Sequence, residues 1–231
     1  MSEQVTRRGF IGAAGMAAGG VMVAGAEAVQ GAESGKELKI VAISCSRREG
    51  MNTAGALKIA LEAAKAVSPE AIEIELIELA GKNLHAEVAA GIELAAGETD
   101  DFLPIQEKLA DPNVAAIIIG TPVYFSSMSS PCKDFIERLG VFRKQDYALS
   151  NVVAGVLAVG GARHGGQEVA ITSVQAALFC QEMVVVGAAR KTSRFGACIW
   201  AGAEEGVEEK TNRTVAEDLG RRVAEVALAM Q

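Results

Sequence analysis

The chain has 231 residues and carries 22 Lys and Arg against 29 Asp and Glu, for a formal net charge of −7. Half of it is hydrophobic, enough for one core of ordinary size and too much for a chain whose dominant state is disorder. The acidic balance argues against nucleic-acid binding, and no run of roughly 18–20 strongly apolar residues is present to build a multi-span membrane protein. Alanine is abundant, and one Trp, two Tyr and seven Phe are few aromatics. That balance favours helices on a Val/Ile-rich sheet over an aromatic-cored sandwich.

In chain order, an address comes first. Residues 6–12 read TRRGFIG and lead into a charge-free, Ala/Gly-rich stretch from Gly9 to Ala26. A basic start, a modestly apolar middle and small residues before a cleavage point (after Ala26 or Ala28) make a signal peptide. The pair Arg7 and Arg8, followed by Phe10, resembles the twin-arginine export signal, with Ile11 for the usual Leu and Gly12 where Lys is common. The expectation is a signal peptide over 1–26, a linker over 27–37 and a folded domain over 38–231. The protein would be carried folded to the periplasm by the twin-arginine export machinery; a cytoplasmic protein with an uncleaved tail is the alternative.

From residue 38 strands and helices alternate. KIVAIS (39–44) is a short apolar run suited to a strand buried on both faces. Residues 53–66 place Leu57, Ala60, Leu61 and Ala64 at helical spacing. EIELIEL (73–79) alternates acid and aliphatic, as a strand near a sheet edge does. Residues 101–110 read as a helix with Leu103, Ile105 and Leu109 as its apolar positions. AAIIIG (115–120) is a strand, and Ser130-Pro131 reads as an N-cap with proline at the first helical position. Cys132, Phe135, Ile136 and Leu139 form the stripe of that helix, and Gly140 stops it. VVAGVLAVG (152–160) is a strand, 166–180 a helix and MVVVG (183–187) a fifth strand. Val215, Leu219, Val223 and Val226 line a closing helix, with Thr214 and Glu217 at capping-box spacing. Five strands separated by helices imply a doubly wound parallel sheet, whose ligand edge is where the post-strand loops gather. The stretches 83–100 and 188–210 are long for plain connections.

Three post-strand loops carry the chemistry. SCSRREGMNT (44–53) joins small hydroxyl residues to a helix start, a combination that binds phosphate. It matches neither GxxxxGK[ST] nor GxGxxG. The loop GTPVYFSSMSSPCKDFIERL (120–139) follows the third strand, and GGARHGGQE (160–168) follows the fourth.

These loops resemble the NADPH-dependent FMN reductase-like group of the flavodoxin superfamily. The resemblance rests on PVYF-S-x-M-S followed by a K-x-F-I-[DE]-R helix, on S-x-R-x-x-x-N-T over Ser46, Arg48, Asn52 and Thr53, and on the glycine turn before R-x-G-G-Q-E. It spans roughly residues 38–230. It implies a flavodoxin-like three-layer fold with strand order 2-1-3-4-5 and an FMN-dependent oxidoreductase in which the flavin carries the chemistry and no side chain need be catalytic. Ser46, Asn52, Thr53 and backbone amides would hold the phosphate, with Arg48 screening its charge, and Ser44 is counted among the FMN-binding residues. Pro122, Val123, Tyr124 and Phe125 would run beside the ring, and Gly160, Gly161 and Gly165 would let the third loop approach it. Arg163 or His164 would stabilise reduced flavin; for His164 solvent exposure is equally expected. NAD(P)H is the implied donor, which fits poorly with export, and a quinone, flavin or other small molecule is the acceptor. A non-enzymatic electron carrier serving redox proteins is the alternative. A homodimer or homotetramer is also implied.

The iron–sulfur flavoproteins that resemble this chain carry a cysteine cluster after the second strand. Residues 82–101 here hold no cysteine, and Cys45, Cys132, Cys180 and Cys198 are scattered, so no iron–sulfur cluster and no metal site are expected. Cys45 lies within the phosphate loop, either as an acidified thiol or as a small buried residue.

Overall fold

The structure is a computed structural model describing residues 37–190, 192 and 194–231. The expected signal peptide, with Arg7 and Arg8, and all but the last residue of the expected linker lie outside the described residues.

Apolar runs make the strands β1 (Leu38–Ser44), β2 (Ile72–Glu78), β3 (Val114–Pro122) and β4 (Val153–Gly160). Two shorter strands, β5 (Val184–Val185) and β6 (Ala197–Trp200), complete the sheet. The helices are α1 (Asn52–Lys65), α2 (Phe102–Leu109), α3 (Ser130–Arg138), α4 (Gly140–Lys144), α5 (Gln167–Phe179) and α6 (Lys210–Ala229). The sheet runs β2-β1-β3-β4-β5 with β6 also paired to β4, and every pairing is parallel. The expected order is therefore observed, with the alternating acid and aliphatic strand at one edge.

Successive side chains of a strand face opposite ways, so each apolar run feeds two cores. Val41, Ile43, Ile117, Ile119 and Val156 pack with Phe102 and Ile105 of α2, Phe135 of α3 and Ile171 of α5. Ile40, Ala42, Ile118 and Leu157 pack on the opposite face with Leu57 and Leu61 of α1 and Leu219 and Val223 of α6. The α1–α6 contact reaches backbone distance at Gly220, where an added Cβ would stand 1.8 Å from the Ala60 carbonyl oxygen.

Five details depart from the sequence reading. The fifth strand is cut short: β5 pairs with Val153 and Ala154, the chain leaves, and β6 returns beside Leu157–Gly160. The Ala188 amide bonds the Arg194 carbonyl (2.9 Å), pinching the excursion at its base. The N-cap of α3 is Ser129, not Ser130; its Oγ accepts from the Cys132 amide and donates to the Cys45 carbonyl, partners that Ser130 does not have. Gly140 is a joint rather than a stop, since α4 begins there. In α2 the buried position is Phe102, while Leu103 is exposed. The closing helix starts before Thr214: the Glu209 carboxylate caps the Thr211 and Asn212 amides, and the Thr214 hydroxyl turns back to the Lys210 carbonyl.

Candidate functional site

The three loops gather at the C-terminal edge of the sheet and are tied to one another. The Cys45 amide donates to the Gly120 carbonyl (2.8 Å) and Ser129 Oγ to the Cys45 carbonyl (2.7 Å), joining the first and second loops. Arg47 reaches across to Ser130 Oγ (2.6 Å). The second and third meet where Gly166, at φ 92°, lies so close to Ser126 that a Cβ would stand 2.6–2.7 Å from it. Only glycine satisfies both the positive φ and the approach.

The first loop is buried at its root and polar at its mouth. Ser44, Cys45, Ser46 and Thr53 are buried, Asn52 is half-buried and Arg48 is exposed. The Ser46 hydroxyl accepts from the Arg48 amide and lies 3.1 Å from the Arg48 carbonyl, so it shapes the turn. Gly50 presents its amide to Glu78 (2.9 Å). Ser44 Oγ is buried without a hydrogen-bond partner among the described residues, a state that ordinarily costs about 1–3 kcal/mol. No side chain caps α1, whose N-cap position is Met51. A loop that begins at a buried orphan hydroxyl and ends at an uncapped helix start fits a phosphate. Cys45 is the small buried residue of the two alternatives. Burial first, and then the Cys132 thiol, push its own thiol well above the ordinary range, so it is not a resting thiolate.

The second loop fixes its backbone before its tip. The Val123 amide donates to the Val159 carbonyl (2.9 Å), and Pro122 ends β3. Tyr124 and Ser127 exchange both backbone hydrogen bonds (3.0 Å each) around Phe125 and Ser126, at φ 49° and 59°. This is a two-residue turn with both central residues left-handed, the I′ pattern that normally takes Asn-Gly. It holds Tyr124 about half exposed and Phe125 fully exposed.

The third loop is organised by a residue the sequence reading did not single out. Gln167 is buried; it donates to the Ala162 carbonyl (2.6 Å) and accepts from the Gly165 amide (2.9 Å). An amide side chain at the first position of a helix after a glycine pair is the only sequence signal for it. Gly160 lies buried under this amide, and Gly161 accepts from the Trp200 indole N–H (3.2 Å). Arg163 stacks on the Trp200 ring at 4.3 Å, and His164 is exposed. Behind them opens a cleft of about 540 Å³, lined among others by Arg163, His164, Gln167, Trp200 and Asn212.

The stretch after β2 is held in place by charge. Arg138 of α3 makes two bonds to the Asp100 carboxylate (2.7 and 2.8 Å) and one to the His85 carbonyl (3.1 Å). Partial burial opposes ionisation of Asp100, but Arg138 and the Phe102 amide outweigh it and hold the carboxyl below its usual range. The His85 ring stands between the Glu87 carboxylate (3.0 Å) and the Thr99 carbonyl (3.2 Å). Both are acceptors, so only the charged ring satisfies both.

Known proteins resemble this chain in sequence and in fold. Residues 38–195 match the NADPH-dependent FMN reductase family. An iron-sulfur flavoprotein of Methanocaldococcus jannaschii is 32% identical over 193 residues, covering 82% of this chain and 97% of that protein. An NAD(P)H dehydrogenase (quinone) of Archaeoglobus fulgidus is 34% identical over 137 residues, 54% of this chain and 71% of that one. A flavodoxin, WrbA-like protein of Agrobacterium tumefaciens shares the fold at a TM-score of 0.59 and 14% identity, over 85% of this chain and 100% of that structure. The chain belongs to the NADPH-dependent FMN reductase family, has a flavodoxin-like fold and is a flavin-dependent oxidoreductase.

Proposed function

We propose that the chain holds FMN across the three loops and uses it to pass electrons from NAD(P)H to a quinone, a free flavin or another small acceptor. The observation that carries the reading is one loop that runs from the orphan Ser44 hydroxyl to the uncapped start of α1. Donors left unsatisfied around one point are stabilised by an anion placed there, and a phosphate meets several at once. Thr53 and Asn52 stand on the first turn of that helix, and Ser46 needs only to rotate its hydroxyl proton from the Arg48 carbonyl to join them. Arg48 screens the charge from the rim.

Bound FMN supplies hydride and electron acceptance at its ring; the chain supplies position. Pro122 and Val123 hold the backbone beside which a ring edge would lie. Tyr124 and Phe125 are apolar surface that a flat ligand would cover. Gly161 and Gly165 keep side chains out of its way, while Gly160 makes room for Gln167, which keeps that loop in shape. Arg163 is engaged on Trp200, which leaves His164 as the nearer candidate for steadying negative charge.

The phosphate assignment is tested by titrating the apoprotein with FMN and with riboflavin. FMN is expected to bind at least roughly 100-fold more tightly, the worth of two hydrogen bonds to a charged group; equal affinities contradict the assignment. We also propose that the protein works without an iron–sulfur cluster, which metal and acid-labile sulfide analysis checks. Export by the twin-arginine route is proposed from residues 6–12 alone. Replacing Arg7 and Arg8 by Lys is expected to keep the protein in the cytoplasm, and normal periplasmic accumulation of that variant contradicts it.

A further inference from the structure

We infer that Cys45 and Cys132 are a dithiol–disulfide pair able to lock the root of the first loop to the first turn of α3. The inference does not depend on the flavin reading. The two residues are distant in sequence, yet both are fully buried in one apolar cluster. A single hydroxyl shows how close their backbones run: Ser129 Oγ donates to the Cys45 carbonyl at 2.7 Å and accepts from the Cys132 amide at 3.4 Å. The Cys132 thiol is near enough to help push the Cys45 thiol above its ordinary range, while the Cys45 thiol itself points to the Ile43 carbonyl at 3.9 Å. A disulfide needs Cα atoms within about 7 Å and side chains that face each other, and two buried thiols on backbones bridged by one hydroxyl are placed to reach that arrangement. The other two cysteines are placed differently. Cys180 is exposed at the end of α5 with its thiol on the Ala176 carbonyl, and Cys198 is half-buried on β6.

At rest the pair is protected, because burial disfavours the Cys45 thiolate that exchange requires. Reaction therefore waits for the first loop to lift. A thiolate of the pair then attacks a low-molecular-weight disulfide, breaking its S–S bond and releasing one small thiol. The second cysteine displaces the small thiol still attached. Two cysteine S–H bonds and one reagent S–S bond become one protein S–S bond and two small thiols. Two electrons pass from protein to reagent, and the two protons leave on the released thiols. The product closes a loop containing α1, β2, α2 and β3, which removes freedom from the unfolded chain. Such a bond persists in an oxidising compartment and is reduced in the cytosol, so the pair reports where the protein has been.

The test uses the full chain, reduced, then incubated with bis(2-hydroxyethyl) disulfide, denatured, alkylated and mapped by mass spectrometry. The expected result is one intrachain cross-link, Cys45 to Cys132, with Cys180 and Cys198 recovered alkylated or as mixed disulfides. The oxidised protein should melt roughly 5 °C or more above the reduced one, the direction expected for closing a long loop. In Cys132→Ala oxidation should leave the melting temperature unchanged. Cross-links through Cys180 or Cys198, or four cysteines recovered without the expected bond, overturn the inference. If Cys132→Ala does not fold, the wild-type map decides alone.

Discussion

The first loop and the tip of the second lie at the same sheet edge and are built in opposite ways. The first buries Ser44, Cys45, Ser46 and Thr53 and keeps its strain low, leaving one hydroxyl unpartnered. The second holds Phe125 and Ser126 at positive φ and thrusts Phe125 fully into solvent. A polar recess with an orphan donor gains stability when filled, and an exposed aromatic on a strained turn gains stability when covered. The difference therefore locates two unmet needs on one edge, one for a small anion and one for a flat apolar group.

Breaking the joint between the loops should have the largest effect. Gly166→Val puts a branched side chain where a Cβ already meets Ser126 and where φ is 92°. We expect a loss of about 2–4 kcal/mol, seen as a melting temperature lower by roughly 5–15 °C. A variant that melts like the parent would mean that the loops do not touch. Next, Ser46→Ala combined with Thr53→Ala empties the polar recess of two hydroxyls. FMN affinity should fall by roughly 10–100-fold, measured by fluorescence quenching, and unchanged affinity removes these residues from the phosphate site.

Phe125→Gly sharpens the contrast because its two effects have opposite signs. Glycine relieves the left-handed φ, stabilising the apoprotein by about 1 kcal/mol, while the apolar cover is lost. The melting temperature should rise and flavin reduction by NAD(P)H should slow. A lower melting temperature would show that the aromatic ring is held by contacts in the free protein.

The smallest effect concerns the charged segment tied to Arg138 of α3. The bond to Glu87 is the main cause that raises the His85 pKa, opposed by desolvation. A raised pKa means that the stabilisation is complete below the ordinary value of 6.5 and fades as pH climbs through the raised value. Amides of residues 83–101 should therefore exchange faster above neutrality after correction for intrinsic rates. The pH dependence should vanish in His85→Asn, and a persistent dependence in that variant would assign it to another group.

What the sequence made legible was what depends on runs and repeated spacing. Four strands of seven to nine residues, their apolar stripes and the order of the three loops could be read because a strand buried on both faces has few other spellings and the edge strand β2 shows its alternation. The misses have local causes. β6 is four residues long and flanked by glycine, too short for alternation to stand out. The turn at Phe125-Ser126 lacks the Asn-Gly signal because tertiary contact with Gly166, not residue preference, holds it. Ser129 acts through a backbone partner far away in sequence, the Cys45 carbonyl, and Gln167 through backbone groups of its own turn, neither of which residue periodicity announces. Cys45 and Cys132 are neighbours only because β1 and α3 are.

The most direct measurement is an absorbance spectrum of the FMN-loaded protein, followed by addition of NADH or NADPH without oxygen. Rapid bleaching of the flavin bands is the predicted result and would mark the site as one that admits a nicotinamide donor. Bands unmoved by either nucleotide, yet bleached by dithionite, would contradict the proposed donor and leave a flavin site fed by another electron source.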